Sequence, residues 1–309
     1  MWATAFLALA VAGCTVSREP PSSRPSEACA APVCTVPDPQ LLERERQQAR
    51  AELQRWADAV AAAGGQQGFA IVGDPTGQVG TWEAAVGSND KVALMAGKVV
   101  AVVVLSDQTP APAAVHWQDG SVQTLPTISA AQALQDLQAS GVQACVACDA
   151  LQVTAAKLTT AQIETNRGLA SVPAWEFSLQ GTAVHVTRVA ISAGAKVSVS
   201  PPPGDPNDPP VGLSIESASG RVGGRQLTVS FVGAPKPGSQ VCGADYTAEA
   251  VESPTAVVVI VIEHRNSFDG ACRLVGATRT ATVQLAAPLG DRAVLEVRDG
   301  LPVPVTLAP

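Results

Sequence analysis

A chain of 309 residues with 46% apolar content can bury a substantial core, yet only 4% of it is aromatic and its net charge is −7. Its 20 basic residues are scattered rather than clustered, which argues against a nucleic-acid footprint and against a polybasic patch for anionic lipid. The scarcity of rings argues against a platform for stacking sugars.

The N-terminus reads "MWATAFLALAVAGCTVS", with an apolar run over residues 3–12. A bilayer span needs about 20 apolar residues, so this run has the length of the apolar part of a secretory leader. Its end, Val11-Ala12-Gly13-Cys14, resembles the lipobox of bacterial lipoproteins. That resemblance implies cleavage after Gly13 and a lipid on the Cys14 sulfur. Residues 1–13 are then a signal peptide, and two or more acyl chains give stable anchoring. Residues 14–37 follow with Ser, Pro and charge but no periodicity, the composition of a tether. The roughly 290 residues beyond the leader are enough for two ordinary domains.

Asp38 begins a helix as N-cap, Pro39 fits its first position and Gly64-Gly65 ends it. Leu42, Ala49, Leu53, Trp56 and Val60 form one apolar stripe, predicting a helix packed on its own domain core. A mixed region follows. It comprises a strand at 68–73, a short helix over 88–97 with Ser88 as a cap and a buried Val-rich strand over 98–105. A hairpin over 114–125 turns at Asp119-Gly120, and a helix over 129–141 carries a Ser129/Gln132 capping box. From residue 150 the period becomes two and predicts three strands, reversing at Asn166-Arg167-Gly168 and Gly181-Thr182. In the last of these the alternation Val184, Val186 slips to Val189, Ile191, which predicts a β-bulge near Thr187-Arg188.

Six prolines in residues 201–210 mark a stiff connector. Residues 38–192 thus read as an α+β domain and 193–210 as a Pro-rich linker. Residues 211–309 read as an all-β antiparallel sandwich or barrel, built on "RQLTVSFVG", "YTAEAVES", "AVVVIVIEH", "RTATVQLA" and "RAVLEV". The fold class expected is α+β. The runs "TNRGLASVPAWEFSLQG", "VCGADYTAEAVES", "CRLVGATRTATVQL" and "PLGDRAVLEV" are similar to those of uncharacterised exported lipoproteins from high-GC actinomycetes. That resemblance supports the localisation and implies no activity.

Of seven cysteines, assigning Cys14 to lipid leaves an even set: Cys29, Cys34, Cys145, Cys148, Cys242 and Cys272. In an oxidising compartment such a set reads as a disulfide framework. Cys145-x-x-Cys148 is also compatible with a redox dithiol, but a helix pattern ends before it instead of starting at it. Together with Cys29 and Cys34 it has the ligand count of a zinc site. Cys242 with Cys272 is the pairing best isolated in the chain; closing that loop is worth about 3–4 kcal/mol on the chain-entropy estimate.

Catalytic signatures are few: the sequence has no G-x-S-x-G and no H-E-x-x-H. His116, His185 and His264 lie in strand patterns. Trp175 and Glu176 form a weak polar-aromatic candidate, with Trp175 facing the core and Glu176 the other side of its strand, where Trp82 or Trp117 could share a ligand. "GDPNDPP" spaces Asp205, Asn207 and Asp208 like part of a calcium loop but lacks the closing Glu. No metal or cofactor is implied. The leading expectation is a non-enzymatic binding or interaction module, lipid-anchored on the extracytoplasmic face of the cell membrane, with an envelope protein or small ligand as partner. A small-ligand carrier and an envelope hydrolase whose site assembles only in the fold are the alternatives.

Overall fold

Asp38 opens the first helix as expected: its carboxylate accepts the Gln40 N–H at 2.9 Å, and Pro39 takes the first helical position. The computed structural model describes residue 35 and residues 37–64, 69–82, 89–142, 144–201 and 209–309. Cys14, Cys29, Cys34, the leader, Asp205, Asn207 and Asp208 lie outside the described residues.

The N-terminal part runs α1 (Pro39–Ala62), β1 (Thr76–Val79), α2 (Asp90–Met95), β2 (Val99–Ala101), β3 (Ala113–Trp117), β4 (Val122–Leu125), α3 (Ala130–Ala139), β5 (Leu151–Thr165), β6 (Gly168–Leu179) and β7 (His185–Val189). β6 is the centre of a seven-stranded sheet. β5 pairs along its whole length, and its other edge is shared by β7, followed by β1, and by β3, followed by β4. One face buries Phe177, Leu179 and Val186 under α2 and α3; the other buries Val172, Val189 and Ile191 with Phe69 and Trp117.

This two-sided burial accounts for the slipped alternation in β7. β7 pairs with β6 in unbroken register from Ala174↔Val189 to Ser178↔His185, so the bulge expected at Thr187-Arg188 is not there. Val186 serves one core and Val189 the other, and alternation fades in a strand covered on both sides. The register irregularity lies between Val153 and Ala155 in β5.

Two further expectations need correction. The Val-rich run at 98–105 forms strand only over Val99–Ala101, and Val102, Val103 and Val104 are exposed. β2 is an edge strand paired only with β5 over Val99–Ala101 among the described residues, and strand preference alone supplies no second neighbour to cover the rest of the run. α2 is headed by Asn89, which makes no side-chain cap bond, and Ser88 lies outside the described residues. α3 is capped as expected, Ser129 Oγ accepting the Gln132 N–H at 3.1 Å. The Gln132 side chain donates to Asp136, so the box is half made.

The C-terminal part comprises β8 (Ile215–Arg221), β9 (Gln226–Gly233), β10 (Ala244–Glu252), β11 (Ala256–Arg265), β12 (Ala277–Gln284), β13 (Ala293–Glu296) and β14 (Val305–Ala308). Two sheets, β10-β11-β13 and β12-β9-β8-β14, face each other across a core that includes Leu227, Phe231, Tyr246, Val257, Val259 and Val261. Most pairs are antiparallel; β11/β13 and β8/β14 are parallel. The arrangement is α+β, as the sequence predicts.

α1 packs elsewhere than expected. Its stripe of Ala49, Leu53, Trp56 and Val60 is buried against Ala256, Val258 and Ile260 of β11 and Ala293 and Leu295 of β13. Odd residues of β11 face the sandwich core and even ones face α1, which explains the continuous apolar run "AVVVIVI". Val197, in the expected linker, joins the same cluster, and its N–H donates to Phe69 O at 2.8 Å. Between the parts, Arg167 pairs with Asp291 at 3.0 Å and stacks on Trp117, its guanidinium carbon 4.2 Å from the ring centre.

Candidate functional site

Arg188 is a charged residue in a strand buried on both faces, and only 8% of it is exposed. Its guanidinium donates to Thr76 Oγ1 at 2.7 Å, to the Asp136 carbonyl at 3.2 Å and to Ser140 Oγ at 3.4 Å. Asp74, on the rim, is 3.8 Å away. These contacts fix the head of Arg188 beside a cleft of about 450 Å³ between the two parts of the molecule. Trp56 of α1, the Ile71–Pro75 stretch, residues 196–199 and Leu301-Pro302 complete its walls.

Lys196 lies in the same wall and has no ion pair among the described residues. Burial pushes its ammonium below the usual lysine range; Asp136 opposes that shift and Arg188 adds to it. Burial also lowers the Arg188 guanidinium, against Asp136 and Asp74. The indole N–H of Trp56 is buried and has no acceptor among the described residues. The cleft therefore combines apolar walls and two cations at a junction between structural units. Such a lining favours a negatively charged group over a positive one.

The residues singled out in the sequence fall elsewhere. Trp175 faces the α2/α3 core with Phe177, and its indole donates to Ile128 O at 2.9 Å. Glu176 is on the opposite face, as expected, with His185 Nδ1 3.9 Å from its carboxylate. Ser178 Oγ meets the same ring nitrogen at 3.2 Å. A Ser-His-acid relay needs the hydroxyl on one ring nitrogen and the acid on the other, so this grouping does not have the geometry of a charge-assisted nucleophile. Trp117 is buried, bonded through Nε1 to Thr165 Oγ1 at 3.0 Å, and Trp82 packs on the α2/α3 side. Neither forms a shared site with Glu176.

Cys145–Cys148 and Cys242–Cys272 are both disulfides, with Cα separations of 5.5 and 5.6 Å. The first is held beside α2, where Lys98 Nζ donates to the Cys148 carbonyl at 2.9 Å. The second borders a groove at one end of the sandwich, formed by adjoining clefts of about 570 and 450 Å³ that share Leu213, Glu263 and Arg265. Tyr246 lies under this end, its hydroxyl accepting the Ala234 N–H at 2.6 Å and donating to Glu263 at 3.1 Å. Among the described residues no three His, Cys, Asp or Glu side chains are grouped to hold a metal ion, and no helix is long and apolar enough to cross a membrane.

Arg188 and Lys196 escape a sequence reading. The lone charge in "HVTRVAI" is a signal in principle, since a strand buried on both faces has little reason to carry one. Lys196 sits in a stretch whose prolines suggest a linker. No family model matches the chain, and comparison with curated proteins and with solved structures gives no match either.

Proposed function

We propose that this chain is a lipid-anchored protein of the extracytoplasmic face of the cell membrane that binds a small acidic ligand without chemically changing it. The observation that carries the binding reading is the cleft between the two parts, with Arg188 and Lys196 in its apolar walls. The anchor rests on the lipobox-like Val11-Ala12-Gly13-Cys14 and the tether that follows. The two disulfides suit a protein working outside the reducing cytosol.

The test is calorimetric titration of the chain beginning at Thr15 with inorganic phosphate and with benzoate, in parallel with the Lys196→Gln variant. The expected result is saturable binding of one of these anions, weakened about tenfold or more in the variant, the loss of one charge-assisted contact. Absence of heat and of thermal stabilisation by both anions at millimolar concentration would sink the binding reading. The anchor is checked separately by the mass of the Cys14 peptide from membrane-extracted protein, where an unmodified thiol would remove it.

A further inference from the structure

The sandwich end that bears the Cys242–Cys272 disulfide also receives the tether. Thr35, in the tether, donates through its N–H to the carbonyl of Arg265, the last residue of β11, at 2.7 Å. Around this point the loop over 266–276 exposes large apolar side chains: Leu274 wholly, Val275 by 58% and Phe268 by 47%. Val241, next to the disulfide, is 52% exposed. The Phe268 ring lies over Gly270, where any side chain would run into it, and Cys272 ties the loop to Cys242 beside β10. The apolar tips are thus held outward and not folded into the core.

Apolar residues scattered on a surface need no explanation, but several together at a defined place do. The 21 residue steps from Cys14 to Thr35 give a chain of linker composition a mean reach of about 25 Å. We infer that this end rests on the bilayer, with Phe268, Leu274 and Val275 entering the interfacial region of the lipid beside the chain's own anchor. The inference rests on the anchored reading above. Charge contributes little. Arg265 is paired with Glu263 at 2.6 Å, and Arg273 is offset by Asp269 in the same loop, so contact is led by apolar burial. A short tether supplies a high local lipid concentration, which lets a few side chains suffice where a free protein would need more. Contact would also fix which way the cleft near Arg188 faces.

Hydrogen exchange on vesicles tests this. The chain beginning at Thr15, with an N-terminal hexahistidine, is held on phosphatidylcholine vesicles through a nickel-chelating lipid. Because the attachment is supplied, a failure here concerns the loop and not the lipidation of Cys14. Amides of 266–276 are expected to exchange about threefold or more slowly on vesicles than in solution. That protection should vanish in the Phe268→Asp/Leu274→Asp variant and persist in Val146→Asp, which alters an exposed residue of the Cys145–Cys148 loop. Equal exchange with and without vesicles, protection centred on 142–148, or protection seen only on anionic vesicles would each overturn the inference.

Discussion

At Lys196, stability and binding pull in opposite directions. An ammonium held partly out of water with no carboxylate in direct contact is destabilising, and its lowered pKa is the same fact expressed as proton affinity. The folded chain binds this proton less tightly than the unfolded chain. Stability from this group is therefore smallest while the folded form is protonated, rises as pH climbs through the lowered pKa, and levels off above the usual lysine value. Anion binding moves the other way, because the cation is lost over the same window. Lys196→Met is thus expected to raise stability at pH 7 by about 1 kcal/mol, the order of a removed unpaired polar group, and to weaken anion binding about tenfold or more. Urea unfolding of both proteins checks the first and titration the second. Destabilisation by a similar amount would mean that Lys196 has a structural partner. Arg188 differs, because Thr76, Ser140 and the Asp136 carbonyl hold its head in place.

At the scale of elements, α1 shows how far a sequence can be read. Its cap, its length and its buried stripe follow from Asp38, Pro39 and the spacing of Ala49, Leu53, Trp56 and Val60. The partner of that stripe does not, since periodicity defines a face without an address. Here the address is β11 and β13, some 200 residues along the chain. The reversals at Asn166-Arg167-Gly168 and Asp119-Gly120 were legible because Gly168 and Gly120 adopt positive φ, 94° and 83°, and glycine does so without strain. The Val-rich run at 98–105 was misread because valine's preference for extended backbone says nothing about whether a second strand covers it. β8 carries too many small or polar residues to signal strand by pattern, β14 is only four residues long between Pro304 and Pro309, and pairing to neighbours builds both. The packing of α1 leads to a mutational expectation. Trp56→Ala removes a 1%-exposed side chain and should cost about 4 kcal/mol. A chain ending at Ser200 should leave Leu53, Trp56 and Val60 uncovered and associate, detectable by light scattering. A monomeric, cooperatively folded fragment would show that α1 has a second home.

The whole molecule has two sheet systems but no clean seam between them. The cluster under α1 contains Ala70 and Val197 from the N-terminal side together with Ala256, Ile260 and Leu295 from the sandwich. Arg167–Asp291 adds an ion pair across the boundary, and at the start of the sandwich segment the Val211 N–H donates to Gln48 Oε1 of α1 at 3.4 Å. An interface that shares a core in this way couples the parts more tightly than the polar contacts typical of freely moving domains. Unfolding is therefore expected to be a single transition, and the chain contains its own reporters. Trp82, Trp117 and Trp175 belong to the N-terminal part, Trp56 lies in the cluster shared with the sandwich, and Tyr246, the only tyrosine, sits in the sandwich itself. Tryptophan emission and tyrosine absorbance followed through one urea titration should give the same midpoint and the same slope. Two separated midpoints would mean that α1 and its cluster let go first. In that case the cleft walls supplied by Trp56, Arg188 and Lys196 would come apart while each sheet system stayed folded, and bound anion should then raise the lower midpoint alone.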